Sequence, residues 1–206
     1  MPLSPEDIVR DYVDDGSSTE TVNKRKSRLK IVIVEPNPAW PQRFADTKAR
    51  IEAALGSTAV AILHFGSTSV PGLPAKDIID VDLVVKDITD EGSYVEALER
   101  SGFLLFFREP GWHQHRYFVD EGDRPGGYLV NLHVFGPDCP EVERHRIFRE
   151  WLLKSPEDKQ LYATVKRECA AATEAAGESM REYTLRKEKV VREILNRAFR
   201  DLGYIK

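Results

Sequence analysis

Residues 64–85 read HFGSTSVPGLPAKDIIDVDLVV, and two patterns within them have the residue types for chemistry. The first is Asp80-Val81-Asp82. Alternate residues of a strand face opposite sides, so Ile79, Val81, Leu83 and Val85 turn into a core while Asp80 and Asp82 stand side by side on the other face. Neighbouring carboxylates repel, and each is costly to bury alone. A bound cation relieves both problems, and Mg²⁺ commonly takes one or two carboxylates together with substrate phosphates. A half-exposed strand with a polar outer face would show the same spacing. The second pattern is Gly66-Ser67-Thr68-Ser69, which follows the strand-like AILHF. A glycine lets the backbone come close to a ligand, and successive N–H groups and hydroxyls can cradle phosphate oxygens. Lys76 follows as a candidate counter-charge. Gly, Ser and Pro also make ordinary turns. Taken together, the patterns put an anion cradle at the end of one strand and an acidic pair on the next.

Further candidates surround this pair. In YLVNLHVF (128–135), Asn131 and His133 lie two apart and share a strand face, with no Asp or Glu in the run. His133 could serve as a ligand or base, or be a hydrogen-bonded structural residue. His64 precedes the Gly-Ser turn, where a structural role is favoured. In Trp112-His113-Gln114-His115-Arg116 the His-x-His pair lacks a third ligand, and Arg116 is the better candidate because a guanidinium suits phosphate. Arg186, Lys187 and Lys189 reach the cleft only if the last helix packs beside it.

These residues need a scaffold. Ser4, Pro5, Glu6 and Asp7 begin a short helix over residues 4–13, with Ile8, Val9, Tyr12 and Val13 as its apolar stripe. A polar, flexible stretch follows, and its basic run Lys24-Arg25-Lys26 reads as solvated. Residues 1–30 therefore form an N-terminal extension and 31–206 the main domain. Strands are expected at 31–34, 60–65, 78–85, 103–107, 116–119 and 128–135, the last two joined by the turn Arg124-Pro125-Gly126-Gly127. Helices are expected at 41–55 and 90–100, and from Pro140 onward at 141–154, 157–176 and 178–201. The fold class is α+β: a mixed β-sheet with flanking helices and a helical C-terminal section.

The chain has 206 residues, 41% of them hydrophobic, enough for one domain with a real core. With 34 acidic against 30 basic residues the net charge is −4, which argues against a duplex nucleic-acid binder. Cys139 and Cys169 read as free thiols of a reducing compartment. No apolar run is long enough to span a membrane and no secretory signal is present, so a cytoplasmic protein is expected.

The segment Phe65-Gly66-Ser67, a twelve-residue spacer and Asp80-Val81-Asp82-Leu83 resembles the signature of the nucleotidyltransferase superfamily. More narrowly, GSTSVPGLPAK resembles the GrpB family of that superfamily. Pro38-Ala39-Trp40-Pro41 with Phe44, Asn131-Leu132-His133-Val134, Phe148 to Leu152, Tyr162 with Lys166, and Tyr183 to Lys187 resemble its other blocks, over roughly residues 31–200. The resemblance implies a nucleotidyltransferase-like sheet. It implies that Gly66 and Ser67, with Thr68 and Ser69, contact the phosphates of a nucleoside triphosphate, with ATP expected. Asp80 and Asp82 would hold Mg²⁺ or Mn²⁺, with Lys76 as charge partner. An acceptor, here a small molecule, would attack the α-phosphate. Active superfamily members carry a third carboxylate on the strand where this chain has Asn131 and His133. His133 then replaces a metal ligand, acts as general base, or marks a lost two-metal site. The alternative is a catalytically weak or inactive nucleotide- or phosphate-binding module of the same fold; an interaction scaffold using the C-terminal helices is a third reading.

Overall fold

The computed structural model describes residues 3–11, 18–25 and 28–206. Among them are six strands: β1 (Glu20–Thr21), β2 (Ala59–Phe65), β3 (Ile78–Val85), β4 (Leu104–Glu109), β5 (His115–Asp120) and β6 (Leu129–Phe135). They form one sheet in the order β1-β4-β5-β6-β3-β2. The central β3–β6 pair is parallel and the others are antiparallel, so the sheet is mixed as expected. Six helices accompany it: α1 (Pro5–Val9), α2 (Trp40–Leu55), α3 (Val95–Arg100), α4 (Pro140–Lys154), α5 (Pro156–Ala175) and α6 (Met180–Asp201).

The alternation of 78–85 decides which face becomes core. Ile79, Val81, Leu83 and Val85 pack with Val130, Leu132 and Val134 of β6 and Phe118 of β5 against Ile51 and Leu55 of α2 and Leu98 of α3. Burying each such side chain contributes roughly 1.5–3 kcal/mol, so the opposite parity, with aspartates inward, is not competitive. The other face carries the polar set, and α4, α5 and α6 lie over it. Local signals start these helices. Ser155 accepts from the Asp158 N–H ahead of Pro156, and Ser179 and Glu182 form a reciprocal capping box. Ile194 of α6 packs with Leu152, Tyr162 and the loop residues Val70 and Leu73, which ties the C-terminal helices to the segment between β2 and β3.

Two expectations change, and the N-terminal segment makes contacts with the main domain. Residues 31–34 do not join the sheet; Val34 makes one isolated bridge to Ala75. Ile31 packs on Ala170 and Tyr183 while Val32 is 47% exposed. The Glu174 carboxylate on α5 accepts the Ile31 N–H at 2.8 Å, so a side chain replaces a strand partner. The helix expected from Asp90 begins as a 3₁₀ turn at Glu91–Ser93 and becomes α-helical only at Val95. Tyr94, fully buried and donating to the Ile88 carbonyl at 2.7 Å, holds the break. In the segment read as an extension, β1 pairs with β4 at the sheet edge, and Ile8 of α1 packs on Ile147, Leu195 and Phe199. Arg144 donates to the Ile8 carbonyl and pairs with Asp11, which also pairs with Arg192. Arg25 of the basic run pairs with Glu121 at 3.2 Å. Tyr12, Val13, residues 14–17, Lys26 and Ser27, on which parts of the first helix, linker and basic run were expected, lie outside the described residues. Cys139 and Cys169 carry free thiols, and among the described residues no helix is long and apolar enough to cross a membrane.

Glu91 accepts from both Arg108 and Arg116 at 2.6 Å. The Arg108 bond first, with help from Arg116, holds its carboxyl down to about 2 despite partial burial. Glu91→Gln keeps the shape and removes the charge; urea unfolding at pH 7 is expected to show a loss of roughly 1.5–3 kcal/mol. A depressed folded-state value stabilises above the ordinary carboxyl value of 4.5 and fades as pH falls toward about 2. The gap between wild type and variant should therefore close across that window, and a gap that stays constant would locate the stabilisation elsewhere.

Candidate functional site

Strand register assembles the polar floor. Asp80 lies opposite Phe65 on β2 and Asn131 on β6; Asp82 lies opposite His133 on β6, which in turn faces Tyr117 on β5. Tyr117 donates its hydroxyl to Asn131 Oδ1 at 2.6 Å, and Asn131 Nδ2 donates to Asp80 Oδ1 at 2.8 Å. His145, one turn into α4, meets Asp82 Oδ2 through Nδ1 at 2.8 Å. Its ring stacks on Phe65 at 4.1 Å, which fixes it from the other side. His133 Nδ1 lies 3.0 Å from His115 Nε2, and His115 Nδ1 lies 2.6 Å from Glu109 Oε2. Asp82 and His115 are buried, whereas Asp80, Asn131, His133 and His145 keep partial exposure and mark where the floor opens.

Electrostatics follow from that burial. Desolvation pushes both Asp80 and Asp82 above the usual carboxylate range; Lys76 and the Asn131 bond oppose it at Asp80, His145 at Asp82. The Asp82 charge raises His145 against its own desolvation. Burial lowers His133 to about 3, so its imidazole is neutral.

The Gly-Ser turn closes directly on this floor. Gly66 has φ +68° and ψ −170°, a region essentially confined to glycine. A Cβ there would sit 2.6 Å from Asp80 Oδ2 and 3.1 Å from Asp80 Cβ. Glycine is thus required twice, for the backbone angle and for contact with the carboxylate. Residues Ser67–Ser69 form a 3₁₀ turn whose internal bonds begin with the Ser69 N–H to the Gly66 carbonyl, leaving the Ser67 and Thr68 N–H groups outside the turn's own bonding. The hydroxyls of Thr68 and Ser69 are already engaged: Thr68 Oγ1 with His64 Nε2 at 3.1 Å, and Ser69 Oγ to the Gly66 carbonyl at 2.7 Å. Both side chains brace the turn, so the candidate contacts with an anion are main-chain groups and the Ser67 side chain.

A cationic wall stands opposite. Lys76 lies over the Tyr183 ring and is lowered to about 8 by burial, with the Asp80 charge opposing. Lys166 of α5 is 2% exposed, donates to the Pro74 carbonyl and sits 4.6 Å over the Tyr162 ring; burial, the Lys187 charge and others lower it to about 7. Lys187 of α6 acts electrostatically on Lys76, Lys166 and Asp80 alike. The last helix therefore does pack beside the cleft.

Two candidates sit elsewhere. Arg116 points through the sheet to the opposite side, held by Glu91 at 2.6 Å and by the Gln114 carbonyl. Strand parity explains this, because His115 and Tyr117 take the floor and the residue between them cannot. His64 also faces away, stacked on Phe44 at 4.6 Å, and supports Thr68. Sequence reading missed His145, Glu109, Tyr117 and Lys166. The His115–Tyr117 alternation was a usable signal; His145 and Lys166 sit on helices whose docking no local pattern reveals. For a divalent cation the donor set fits in part. Asp82 Oδ1 is buried without a hydrogen-bond partner, and Asp80 Oδ2 faces Gly66. Among the described residues, however, no three His, Cys, Asp or Glu side chains gather in a ligating group.

Comparison with known proteins agrees with this architecture. A family profile described as GrpB protein matches residues 30–197. A UPF0157 protein of Halalkalibacterium halodurans is 41% identical over 186 residues, covering 90% of this chain and 91% of that protein. A dephospho-CoA kinase of Mycobacterium bovis is 26% identical across 95% of this chain, which spans about half (54%) of that protein's length. The crystal structure of conserved protein GrpB from Enterococcus faecalis superposes with a TM-score of 0.70 and 26% identity, over 84% of this chain and 99% of that one.

Gly66→Ala should lower stability by about 1–3 kcal/mol, whereas Gly72→Ala, at φ +76° with nothing within 4 Å of its Cβ, meets only the backbone strain. Chemical denaturation of the pair isolates the carboxylate contact. Equal losses would mean that Asp80 yields freely and the fit at Gly66 is loose.

Proposed function

The chain belongs to the GrpB family, and from that premise we propose that its cleft binds a nucleoside triphosphate, ATP in the first instance, and passes the nucleoside monophosphate to a small-molecule acceptor. One observation carries the reading: the Gly66 turn touches the Asp80 carboxylate while Lys76, Lys166 and Lys187 act on the same group from the facing side. Carboxylates and lysines sharing a partly buried site suit a ligand that is itself polyanionic and arrives with a cation. The Ser67 and Thr68 N–H groups and the three lysines would neutralise phosphate oxygens, and an anion beside Lys166 restores the protonated form that burial disfavours. The free oxygens of Asp80 and Asp82 would hold Mg²⁺ or Mn²⁺, which screens phosphate charge. An acceptor oxygen then bonds to the α-phosphorus and pyrophosphate departs with the bridging oxygen and its electron pair. The mycobacterial relatives named dephospho-CoA kinase support a nucleotide as ligand.

A specific observation favours a second reading, a nucleotide-binding module without turnover. In the superfamily that the sequence resembles, a third carboxylate completes the site from the strand where this chain carries Asn131 and His133, the register partners of Asp80 and Asp82. Pyrophosphate release separates the two.

Titration calorimetry with ATP and Mg²⁺ is expected to show binding. Lys166→Met or Lys187→Ala should weaken it about tenfold or more, since a hydrogen bond to a charged group contributes roughly 1.5–3 kcal/mol. Asp80→Asn should remove most of its Mg²⁺ dependence. Binding without pyrophosphate release supports the module; no heat with any triphosphate at millimolar concentration ends both readings.

A further inference from the structure

Arg149 on α4 is half-buried, and among the described residues its guanidinium meets no hydrogen-bond acceptor and no carboxylate; Nε is sealed from water without a partner. Every other buried or half-buried arginine among them has a carboxylate within 3.2 Å. The adjacent Glu150 pairs with Arg146 instead. A guanidinium keeps its charge at any pH at which proteins fold, so Arg149 cannot escape by losing a proton as a lysine can. An unpaired charge drawn away from water opposes folding, and a polar group left single in a native structure calls for an explanation. Helix geometry says what it faces. His145, Arg149 and Leu152 follow at i, i+4 and i+7 and share one face of α4. His145 stacks on Phe65 at 4.1 Å, and Leu152 packs with Val70 and Leu73. Arg149 lies between them and so comes down on residues 66–69, the Gly-Ser turn. Its charge reaches His64, which braces that turn through Thr68 Oγ1 at 3.1 Å; burial first and Arg149 second lower this imidazole to about 4. The lysines stand elsewhere, over the rings of Tyr162 on α5 and Tyr183 on α6. Asp80 thus meets the turn at Gly66 and Arg149 flanks its Thr68 end. Only Nε of Arg149 is sealed, so Nη1 and Nη2 keep contact with solvent and can take two oxygens of one oxyanion.

We propose that Arg149 determines specificity in this cleft by holding the terminal phosphoryl group of the nucleotide beside the Ser67 and Thr68 N–H groups, so that a triphosphate is selected over a diphosphate. The assignment rests on the nucleotide reading above. A ligand whose α-phosphate lies at Asp80 and Asp82 and whose tail follows the turn from Gly66 ends at Arg149. A diphosphate is one phosphoryl group shorter; it stops at the main-chain donors and leaves the guanidinium unpaired. The lysines act on the carboxylate end and favour any anion there, whereas a fork at the far end reads the length of the tail.

Titration calorimetry of the full chain with ATP, ADP and inorganic tripolyphosphate, each with Mg²⁺, reads the selection. Wild type is expected to bind ATP about tenfold or more tightly than ADP. Arg149→Met should weaken ATP by about that factor and leave ADP nearly unchanged, so the preference collapses. A merely structural arginine would weaken both nucleotides alike, and the ratio would stay. Arg149→Lys keeps the charge without the fork and should retain part of the preference; it reads the same ratio if Arg149→Met does not fold. Equal wild-type affinity for ATP and ADP, or a preference that survives the substitutions intact, overturns the proposal. If neither nucleotide binds, the nucleotide reading falls and tripolyphosphate decides the rest. Tripolyphosphate binding that is lost in Arg149→Met, or in Arg149→Lys if the first does not fold, keeps Arg149 as the ligand of a terminal phosphoryl group. Tripolyphosphate that does not bind, or binds regardless of the residue at 149, overturns that as well.

Discussion

Two carboxylates withdrawn from water at alternate positions of one strand set the terms for everything around them. An isolated buried charge costs several kcal/mol, so the fold must answer both. Asp80 is answered by Asn131 below, by Lys76 and Lys187 across the cleft, and by a glycine that lets the chain approach. Asp82 is answered by His145 alone on one oxygen, and its other oxygen has no partner among the described residues. The hydrogen bonding is therefore fuller around the first aspartate than around the second.

The sheet and the helices divide the work. The sheet supplies the floor, because parallel pairing of β3 with β6 sets Asp80 beside Asn131 and Asp82 beside His133 at fixed spacing. The C-terminal helices supply the wall, and each contributes one basic side chain: His145 from α4, Lys166 from α5 and Lys187 from α6. Holding that wall in place is the task of apolar contacts away from the cleft. Leu73 and Val70 pack on Leu152 and Ile194, and Ile8 packs on Ile147 and Leu195. The loop between β2 and β3 thus combines a tight turn against Asp80 at its start with a hydrophobic anchor in its middle.

Residues with equal claims in the primary structure separate once strand parity is known. His115 and Arg116 are adjacent, yet one joins the floor and the other pairs with Glu91 on the opposite face. Thr68 and Ser69 carry hydroxyls suited to phosphate, and both are spent on bracing the turn that presents the main chain. Residues 31–34 have the composition of a buried strand, but the carboxylate of Glu174 takes the Ile31 donor and helix side chains take the apolar face.

By itself the sequence determined the local facts: the alternation that turns Asp80 and Asp82 away from the core, the glycine before Ser67, the helix cap at Ser4, and the α+β order of elements. Each depends on a few neighbouring residues and on the fixed periods of strand and helix. The tertiary structure decided which groups meet: His115 with Glu109 and with His133, His145 with Asp82, Lys166 with the Pro74 carbonyl. Those partners are separated by up to 92 positions, and only strand register and helix docking, both set by the burial of apolar surface as a whole, bring them within a hydrogen bond of one another.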